Sequence, residues 1–187
     1  MFFGARPPSP PVRTPAWYRR LPPALRRVAT ASDRVPAVAL RASPSLRGAV
    51  GALPGVLATE RADEVEALAQ RITDGICVAL GVPRVRVRVQ LRRPPLRGGE
   101  LQGLYTPNNH GGRDAITVWM LTAKRGQVVA FRTFLRTLLH EVCHHLDYHL
   151  LHLRESLHTQ GFYQRESSLF HALDAEHVGV TRREPRP

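Results

Sequence analysis

The chain has 187 residues, of which 43% are hydrophobic and 22% charged, close to the average of soluble globular chains and enough for one domain with some chain to spare. This balance excludes a wholly disordered or fibrous protein, and no stretch approaches the roughly 18 uninterrupted apolar residues of a membrane span. The net charge of +12 predicts nonspecific attraction to nucleic acid or other anionic surfaces, without defining a function.

The cysteine content and the first residues indicate where the protein works. Cys77 and Cys143 show no pairing pattern, which excludes a disulfide framework and favours a reducing cytoplasm. The start of the chain, Met-Phe-Phe-Gly followed by proline-rich sequence, lacks the basic start and apolar stretch of a secretion signal. We therefore expect a cytoplasmic protein without a membrane partner.

Residues 1–58 form a region rich in proline and arginine. They contain 10 of the 16 prolines and carry a net charge of +8, from nine arginines and one aspartate. Because proline fixes φ and removes a backbone donor, we expect a partly disordered region, with disorder in the first 15 or so residues and short helical turns between breaks at Pro36, Pro44 and Pro54. The charge makes this region a candidate for nonspecific nucleic-acid binding.

The next segment predicts an amphipathic helix and a strand. Apolar residues recur every three or four positions across residues 59–81, with Thr59 as a candidate N-cap and Gly81 as the stop. Residues 84–92 alternate between apolar and polar side chains, the pattern of a half-exposed strand. The apolar face of that strand consists of Val85, Val87, Val89 and Leu91.

The remaining chain predicts a loop, a strand and two helices. Residues 94–112 are rich in Pro, Gly and Asn and predict a loop, and residues 115–122 alternate as a second strand. A long helix is expected over about residues 127–150 and a last helix over about residues 159–173. The tail, residues 176–187, is expected to be frayed.

Histidines concentrate in the predicted long helix and just after it, and three residues there form a metal-binding pattern. His140, Glu141 and His144 spell HEVCH, an instance of HExxH. On a helix the two histidines are about 40° apart, so imidazoles from adjacent turns can hold one metal ion while the glutamate reaches its water. Neutral imidazole suits zinc, which keeps a position open for water in catalytic sites.

The residues alone leave the third ligand open. Asp147 and Leu150 stand where a metzincin continuation needs Gly and His, which excludes that class. Glu166, on the last predicted helix, is a candidate ligand of the thermolysin type, and His158 is the alternative at the start of the same helix. Asp147 is a candidate to orient a ligand imidazole through its second ring nitrogen, and Glu166 is a candidate for the same outer position.

The sequence HEVCHHLDY followed by HTQGF resembles the SprT-like zinc metallopeptidases. In that family HExxH is followed by a third histidine that opens the next helix, with an aromatic residue about four positions later; His158 and Phe162 match these positions. The resemblance covers residues 103–173 and implies that His140, His144 and His158 bind one zinc ion per chain. It also implies that Glu141 is the general base.

These observations predict an α+β, zincin-like domain over residues 59–175, in which a short β-sheet packs on the HExxH helix. The expected activity is zinc-dependent hydrolysis of peptide bonds in a protein or peptide substrate, with Glu141 taking a proton from the zinc-activated water. The strand at residues 115–122 is expected at the sheet edge, where it could pair with an extended substrate. Tyrosines at positions 105, 148 and 163 are candidate oxyanion donors, Tyr163 foremost.

Two other interpretations remain open. The zinc site could be structural, in a non-catalytic module that binds nucleic acid or protein through its basic N-terminal region. Alternatively, the motif could have arisen by chance in a helical protein that binds no metal. Replacement of Glu141 separates the first from the peptidase, and metal content separates the second.

Overall fold

The computed structural model describes residues 16–96, 99–108 and 113–174. This part of the chain has an α+β architecture, in which five α-helices pack around a small mixed sheet. The disorder predicted for the first 15 residues and the frayed tail predicted for residues 176–187 lie outside the described residues.

The elements follow one another along the chain from a 3₁₀ turn at Ala16–Arg20 to a C-terminal helix. They are α1 (Pro23–Asp33), α2 (Pro44–Leu57), α3 (Ala62–Leu80), β1 (Arg86–Arg92), β2 (Pro95–Leu96), β3 (Gly99–Glu100), β4 (Gly103–Thr106), β5 (Ala115–Leu121), α4 (Phe131–His149) and α5 (Gln160–Leu173). None of the helices in the described ranges combines the length and the apolar character that a membrane crossing requires.

The N-terminal region contributes a full helix, α2, to the core. Pro44 starts this helix, where a missing backbone N–H costs nothing, so a helical boundary falls at Pro44 as predicted. Pro54 lies inside the last turns of the helix, so the break predicted there is wrong. Leu46 and Leu53 of α2 are buried in the same cluster as apolar residues of α3, α4 and α5. The predicted boundary after residue 58 therefore falls between two helices that share one core.

Helix α3 begins later than predicted. Its N-cap is Arg61, and the Thr59 hydroxyl accepts the N–H of Arg61 and donates to the carbonyl of Val56 instead of capping the helix. The helix ends as predicted at Gly81, which has φ 68°, a conformation that glycine adopts without strain.

Side chains of α3 form hydrogen bonds with the backbone of β1 and of the residue before it. Gln70 donates to the carbonyl of Val85 and accepts the N–H of Val87, and Glu66 accepts the N–H of Val89. Leu91 is 53% exposed, although the alternation places it on the apolar face with Val85, Val87 and Val89, which are buried.

The sheet has the order β1-β5-β4, with β1 parallel and β4 antiparallel to β5. Strand β5 is therefore central, and the prediction that it forms the edge is wrong. The two edges are β1 and β4, and we call β4 the edge strand because it lies next to α4. The predicted loop at residues 94–112 contains β4 and also the two-residue strands β2 and β3, so the prediction of a loop is wrong for these residues. The four residues of β4, Gly-Leu-Tyr-Thr, are too few to show an alternating pattern, and its pairing with β5 and packing on α4 hold it extended.

Helix α4 crosses the sheet and packs against β4, β5 and α5. It starts at Phe131, about one turn later than predicted, because the preceding residues pair with the end of β5: the N–H of Val129 donates to the carbonyl of Met120. Its buried stripe anchors the helix and includes Leu135, Leu138, Val142 and Leu146.

Candidate metal centre

Helix α4 carries the HEVCH motif on the side that faces a cleft. His140 and His144 lie on adjacent turns, and their ring centroids are 5.1 Å apart. Both side chains are half-buried, whereas Val142, on the other side of the helix, is fully buried. The buried stripe thus fixes the rotation of the helix and so places both imidazoles at the cleft.

The third imidazole comes from the segment between α4 and α5. His158 directly precedes Thr159, whose hydroxyl caps α5 by accepting the N–H of Phe162. The Nε2 atom of His158 lies 2.9 Å from Nε2 of His140 and 3.1 Å from Nε2 of His144. A tetrahedral zinc ion with bonds of about 2.0–2.1 Å holds its nitrogen ligands roughly 3.3 Å apart, so the three atoms are close to the spacing that one ion needs.

An aromatic ring packs against all three imidazoles. The centroid of the fully buried Phe162 ring lies 4.9 Å from that of His140, 4.8 Å from that of His144 and 5.1 Å from that of His158. The aromatic residue four positions after His158 therefore supports the three rings from the protein interior. Such packing limits rotation of the rings and excludes water from their inner side.

The outer nitrogens of two imidazoles have oxygen partners. Nδ1 of His140 lies 3.1 Å from Oε2 of Glu166, and Nδ1 of His144 lies 2.7 Å from the Ser156 hydroxyl, which donates to Asp147 at 2.7 Å. A proton on Nδ1 leaves the Nε2 lone pair free for a metal. Glu166 thus lies behind His140, away from the three Nε2 atoms, and Asp147 reaches His144 only through Ser156.

Asp147 belongs to a fully buried ion pair. Its Oδ1 accepts a hydrogen bond from Arg165 of α5 at 2.7 Å, and neither side chain is exposed to solvent. Burial raises the pKa of Asp147, while Arg165 and Ser156 oppose that rise. Arg165 also donates to the carbonyls of Ser32 and Val35, each at 2.7 Å, so the pair connects the metal-site helices to the N-terminal region.

The end of α1 is fastened to the start of α5. The hydroxyls of Ser32 and Thr159 are 2.8 Å apart, and Asp33 accepts the N–H of Gly161 at 2.7 Å and the hydroxyl of Tyr18 at 2.6 Å. A Cβ on Gly161 would lie 2.5 Å from the carbonyl oxygen of Ser32, so only glycine permits this approach. Because His158 immediately precedes this junction, the N-terminal region helps to position the third imidazole.

Glu141 lies beside the edge strand and is only 5% exposed. Burial raises the pKa of its carboxyl group to about 7, although His140 and the backbone N–H of Tyr105 favour the charged form. A Cβ at Gly103 would overlap this carboxylate, so the absence of a side chain there makes its position possible. A carboxyl group with a pKa near neutrality is suited to exchange protons at physiological pH.

Burial favours the neutral form of two imidazoles, those of His144 and His158. It lowers the pKa of His144 to about 3, and His140 and His158 contribute further to that shift. It also lowers the pKa of His158, again with a contribution from His140. Neutral imidazole is the form that binds zinc.

The three tyrosines proposed as oxyanion donors have different surroundings. The hydroxyl of Tyr105 donates to Asp114 at 2.6 Å, and its ring stacks on that of Tyr148, 5.8 Å away between centroids. Tyr163 is half-exposed, and its ring lies 5.9 Å from that of His158 and 6.2 Å from that of His140. Tyr163 is therefore at the rim of the histidine cluster, whereas the hydroxyl of Tyr105 is engaged elsewhere.

Two cavities flank the centre along the edge strand. One, of about 500 Å³, is bordered by Gly103, Arg136 and Glu141. The other, of about 250 Å³, is bordered by Tyr105, Tyr148 and His158 as well as the same glycine and glutamate. The histidines and Glu141 thus lie in the middle of a cleft that follows β4.

Sequence reasoning missed several residues that hold the site together. Ser32 and Asp33 lie far from the motif in sequence, and no local pattern links them to α5. Gly103 lies in the predicted loop at residues 94–112, where a glycine carries no particular signal. Ser156, the partner of the outer nitrogen of His144, also carries no sequence signal that points to this contact.

Comparison with family models, with curated proteins and with solved structures gave no match for this chain. The arrangement of the side chains defines a class of site, a three-histidine centre with an adjacent buried carboxyl group that could hold a metal ion.

Proposed function

We propose that this protein is a zinc-dependent metallopeptidase of the SprT-like, zincin type. The observation that carries the proposal is the convergence of three Nε2 atoms, 2.9 and 3.1 Å apart, beside a buried glutamate at the edge of the sheet. The same four residues, three histidines and one glutamate, carry the resemblance of HEVCHHLDY and HTQGF to that family.

The donor set fits zinc. Three imidazole ligands leave a fourth position of a tetrahedral ion open, which is the arrangement of catalytic zinc sites. Glu166 and Ser156 supply the outer hydrogen-bond partners that such ligands usually have. When bound, a zinc ion would lower the pKa of a coordinated water to about 7 and polarise a substrate carbonyl.

Glu141 would perform the proton transfers. Its carboxylate accepts a proton from the attacking water and then delivers it to the nitrogen of the leaving amine, so the same group acts as base and as acid. The N–H of Tyr105 holds the carboxylate in place during both steps. Tyr163, at the rim, is our candidate for a hydrogen bond to the developing oxyanion.

The edge strand supports a peptide as the substrate. Strand β4 is the outermost strand on the cleft side, and an edge strand can pair with an extended chain through backbone hydrogen bonds. A peptide lying antiparallel or parallel to β4 would fill both cavities and pass its scissile bond over His140 and Glu141. This assigns to β4 the role that the sequence suggested for β5.

A direct test compares the wild type with Glu141→Gln and His158→Ala. The assay follows cleavage of unfolded casein and of quenched-fluorescence peptides, with zinc measured by elemental analysis. We expect Glu141→Gln to retain zinc and lose hydrolysis by at least about 100-fold, the lower end of general-base contributions. His158→Ala should lose about one zinc per chain together with activity. Glu155→Gln, an exposed glutamate, is the matched control.

The alternative function, a zinc-stabilised module that binds nucleic acid, gives a different result: the wild type would show no hydrolysis, and Glu141→Gln would leave both zinc content and nucleic-acid binding unchanged. It has support from exposed arginines in the N-terminal region, including Arg20 and Arg27 of the 3₁₀ turn and α1. Deleting residues 1–58 would remove buried residues of α2, so the test is Arg20→Gln with Arg27→Gln. Weaker binding to a DNA duplex with a smaller salt dependence would support this alternative.

A further inference from the structure

We propose that the chain binds a second divalent metal ion, of the zinc type, at Asp114, His145 and His149. These three residues, called the Asp114 cluster, offer one carboxylate oxygen and two imidazole nitrogens, all within 4.8 Å of one another. The inference is independent of the proposed peptidase activity.

Helix α4 carries two pairs of histidines with the same spacing. His145 and His149 are four residues apart, as are His140 and His144, and the two pairs are offset by five residues, or about 140° around the helix. The second pair therefore faces the start of β5, where Asp114 precedes Ala115, and not the cleft. One helix thus presents imidazole pairs on two separate sides.

Hydrogen bonding fixes which atom of His145 faces the cluster. Its Nε2 lies 2.8 Å from the carbonyl oxygen of Pro83, which can only accept, so Nε2 carries the proton. In the neutral ring, Nδ1 then has a lone pair, and it lies 3.3 Å from Oδ2 of Asp114. His145 is completely buried, and 3.3 Å is too short a distance for a water molecule to lie between these two acceptors.

The protons available in the cluster go to Asp114. The Tyr105 hydroxyl lies 2.6 Å from Oδ2 of Asp114 and 3.3 Å from Nδ1 of His145, so its single proton serves the carboxylate. His149 Nε2 also lies 2.6 Å from Oδ2. The lone pair of His145 and the carboxylate therefore face each other without a proton between them, an arrangement that a cation stabilises.

The spacing can accommodate an ion with a small adjustment. Zinc bound at about 2.0–2.2 Å needs donors roughly 3.3 Å apart, which is the separation already found between His145 and Asp114. The distance from His149 to Asp114 must widen, and the His149 side chain, 32% exposed near the end of α4, has room to rotate. His149 would bind through Nε2 with its proton on Nδ1.

The mixture of two imidazoles and one carboxylate favours zinc and neighbouring transition metals over calcium or magnesium, which prefer oxygen ligands. A bound ion would tie α4 to the start of β5 and, through Tyr105, to β4. It would therefore hold the edge strand next to Glu141 without taking part in the reaction.

The test counts zinc ions on the full chain after chelator treatment and equilibrium dialysis against Zn²⁺. We expect two equivalents for the wild type and one for His149→Ala, with affinity at the second site weakened at least about 100-fold, since loss of even an outer partner of a metal ligand costs about 10 to 100-fold. His158→Ala should retain the second ion. His171→Ala, which removes an exposed histidine of α5, should bind two and is the matched control.

The number of zinc ions bound by each variant distinguishes failure of this inference from failure of the peptidase proposal. One equivalent in the wild type, lost in His158→Ala and retained in His149→Ala, overturns the second site and leaves the first intact. One equivalent lost in His149→Ala and retained in His158→Ala supports the second site and overturns the first. Circular dichroism of each variant shows whether a change in metal content reflects loss of the fold. A second variant, Asp114→Asn, keeps the shape of the side chain and should lose the second ion as His149→Ala does.

Discussion

Replacing Glu141 by Gln should stabilise the metal-free protein at alkaline pH. Burial raises the pKa of this carboxyl group from 4.5 to about 7, so the folded state retains a proton that the unfolded state loses between these values. The free energy of unfolding therefore falls as pH rises through that window, by about 1.4 kcal/mol per pH unit. Above it the full penalty, about 3 kcal/mol, applies to the wild type. Gln carries no charge at any pH, and its carbonyl oxygen can still accept the N–H of Tyr105.

The assay is urea unfolding in the presence of EDTA, at about pH 8.5 and about pH 4.5. At the higher pH we expect Glu141→Gln to exceed the wild type by up to about 3 kcal/mol, and at the lower pH the two should be nearly equal. Protonation of His144, which destabilises the fold as pH falls below 6.5, affects both proteins and cancels in the difference. Glu155→Gln, at an exposed position, should change stability by less than about 0.5 kcal/mol.

A difference that does not depend on pH, or a Gln variant less stable than the wild type at about pH 8.5, would refute the argument that burial dominates the environment of Glu141. Excess zinc should reduce the advantage of the variant, because a cation next to the carboxylate favours its charged form.

Two further predictions concern residues around the site. Arg165→Met leaves the Asp147 carboxylate buried without its cation and should lower the free energy of unfolding by about 3–5 kcal/mol in urea; a loss below about 1 kcal/mol would contradict the importance of the pair. Gly103→Ala should displace the Glu141 carboxylate, so that peptide hydrolysis falls while zinc content is unchanged, whereas Gly48→Ala, where a methyl group has no neighbour within 4 Å, should leave hydrolysis as it is. Hydrolysis at the wild-type rate by Gly103→Ala would show that the carboxylate does not need its present position.

Long periodic segments and the motif were predictable from the sequence. The spacing of apolar residues predicts α3, α4 and α5, and the alternation predicts β1 and β5, because each of these elements buries a continuous face. The helix and the motif alone are enough to single out His140, Glu141 and His144 as candidate site residues. Residues four apart lie on the same side of a helix, so the two histidines must be neighbours.

Elements whose conformation depends on distant partners were not predictable. Strand β4 is too short to show an alternating pattern of its own and is extended because β5 and α4 hold it. Pro54 suggests a break, yet the burial of α2 against α3 compensates for the hydrogen bond that proline removes. The bonds from Ser32 to Thr159 and Arg165 connect positions more than 120 residues apart, and no local pattern encodes such a pairing.

The junction between α1 and α5 determines when the three imidazoles can come together during synthesis of the protein. His158 is placed by a helix that starts at Gln160 and is fastened to residues 32 and 33, near the other end of the chain. When the HEVCH motif has just left the ribosome, the nascent chain therefore has two imidazoles on a helix that α5 does not yet support. The third imidazole is still missing. Closing a segment of this length carries an entropic cost that the final contacts must offset. We expect tight zinc binding to appear only after α5 has left the ribosome and docked, so zinc uptake would mark the last step of folding.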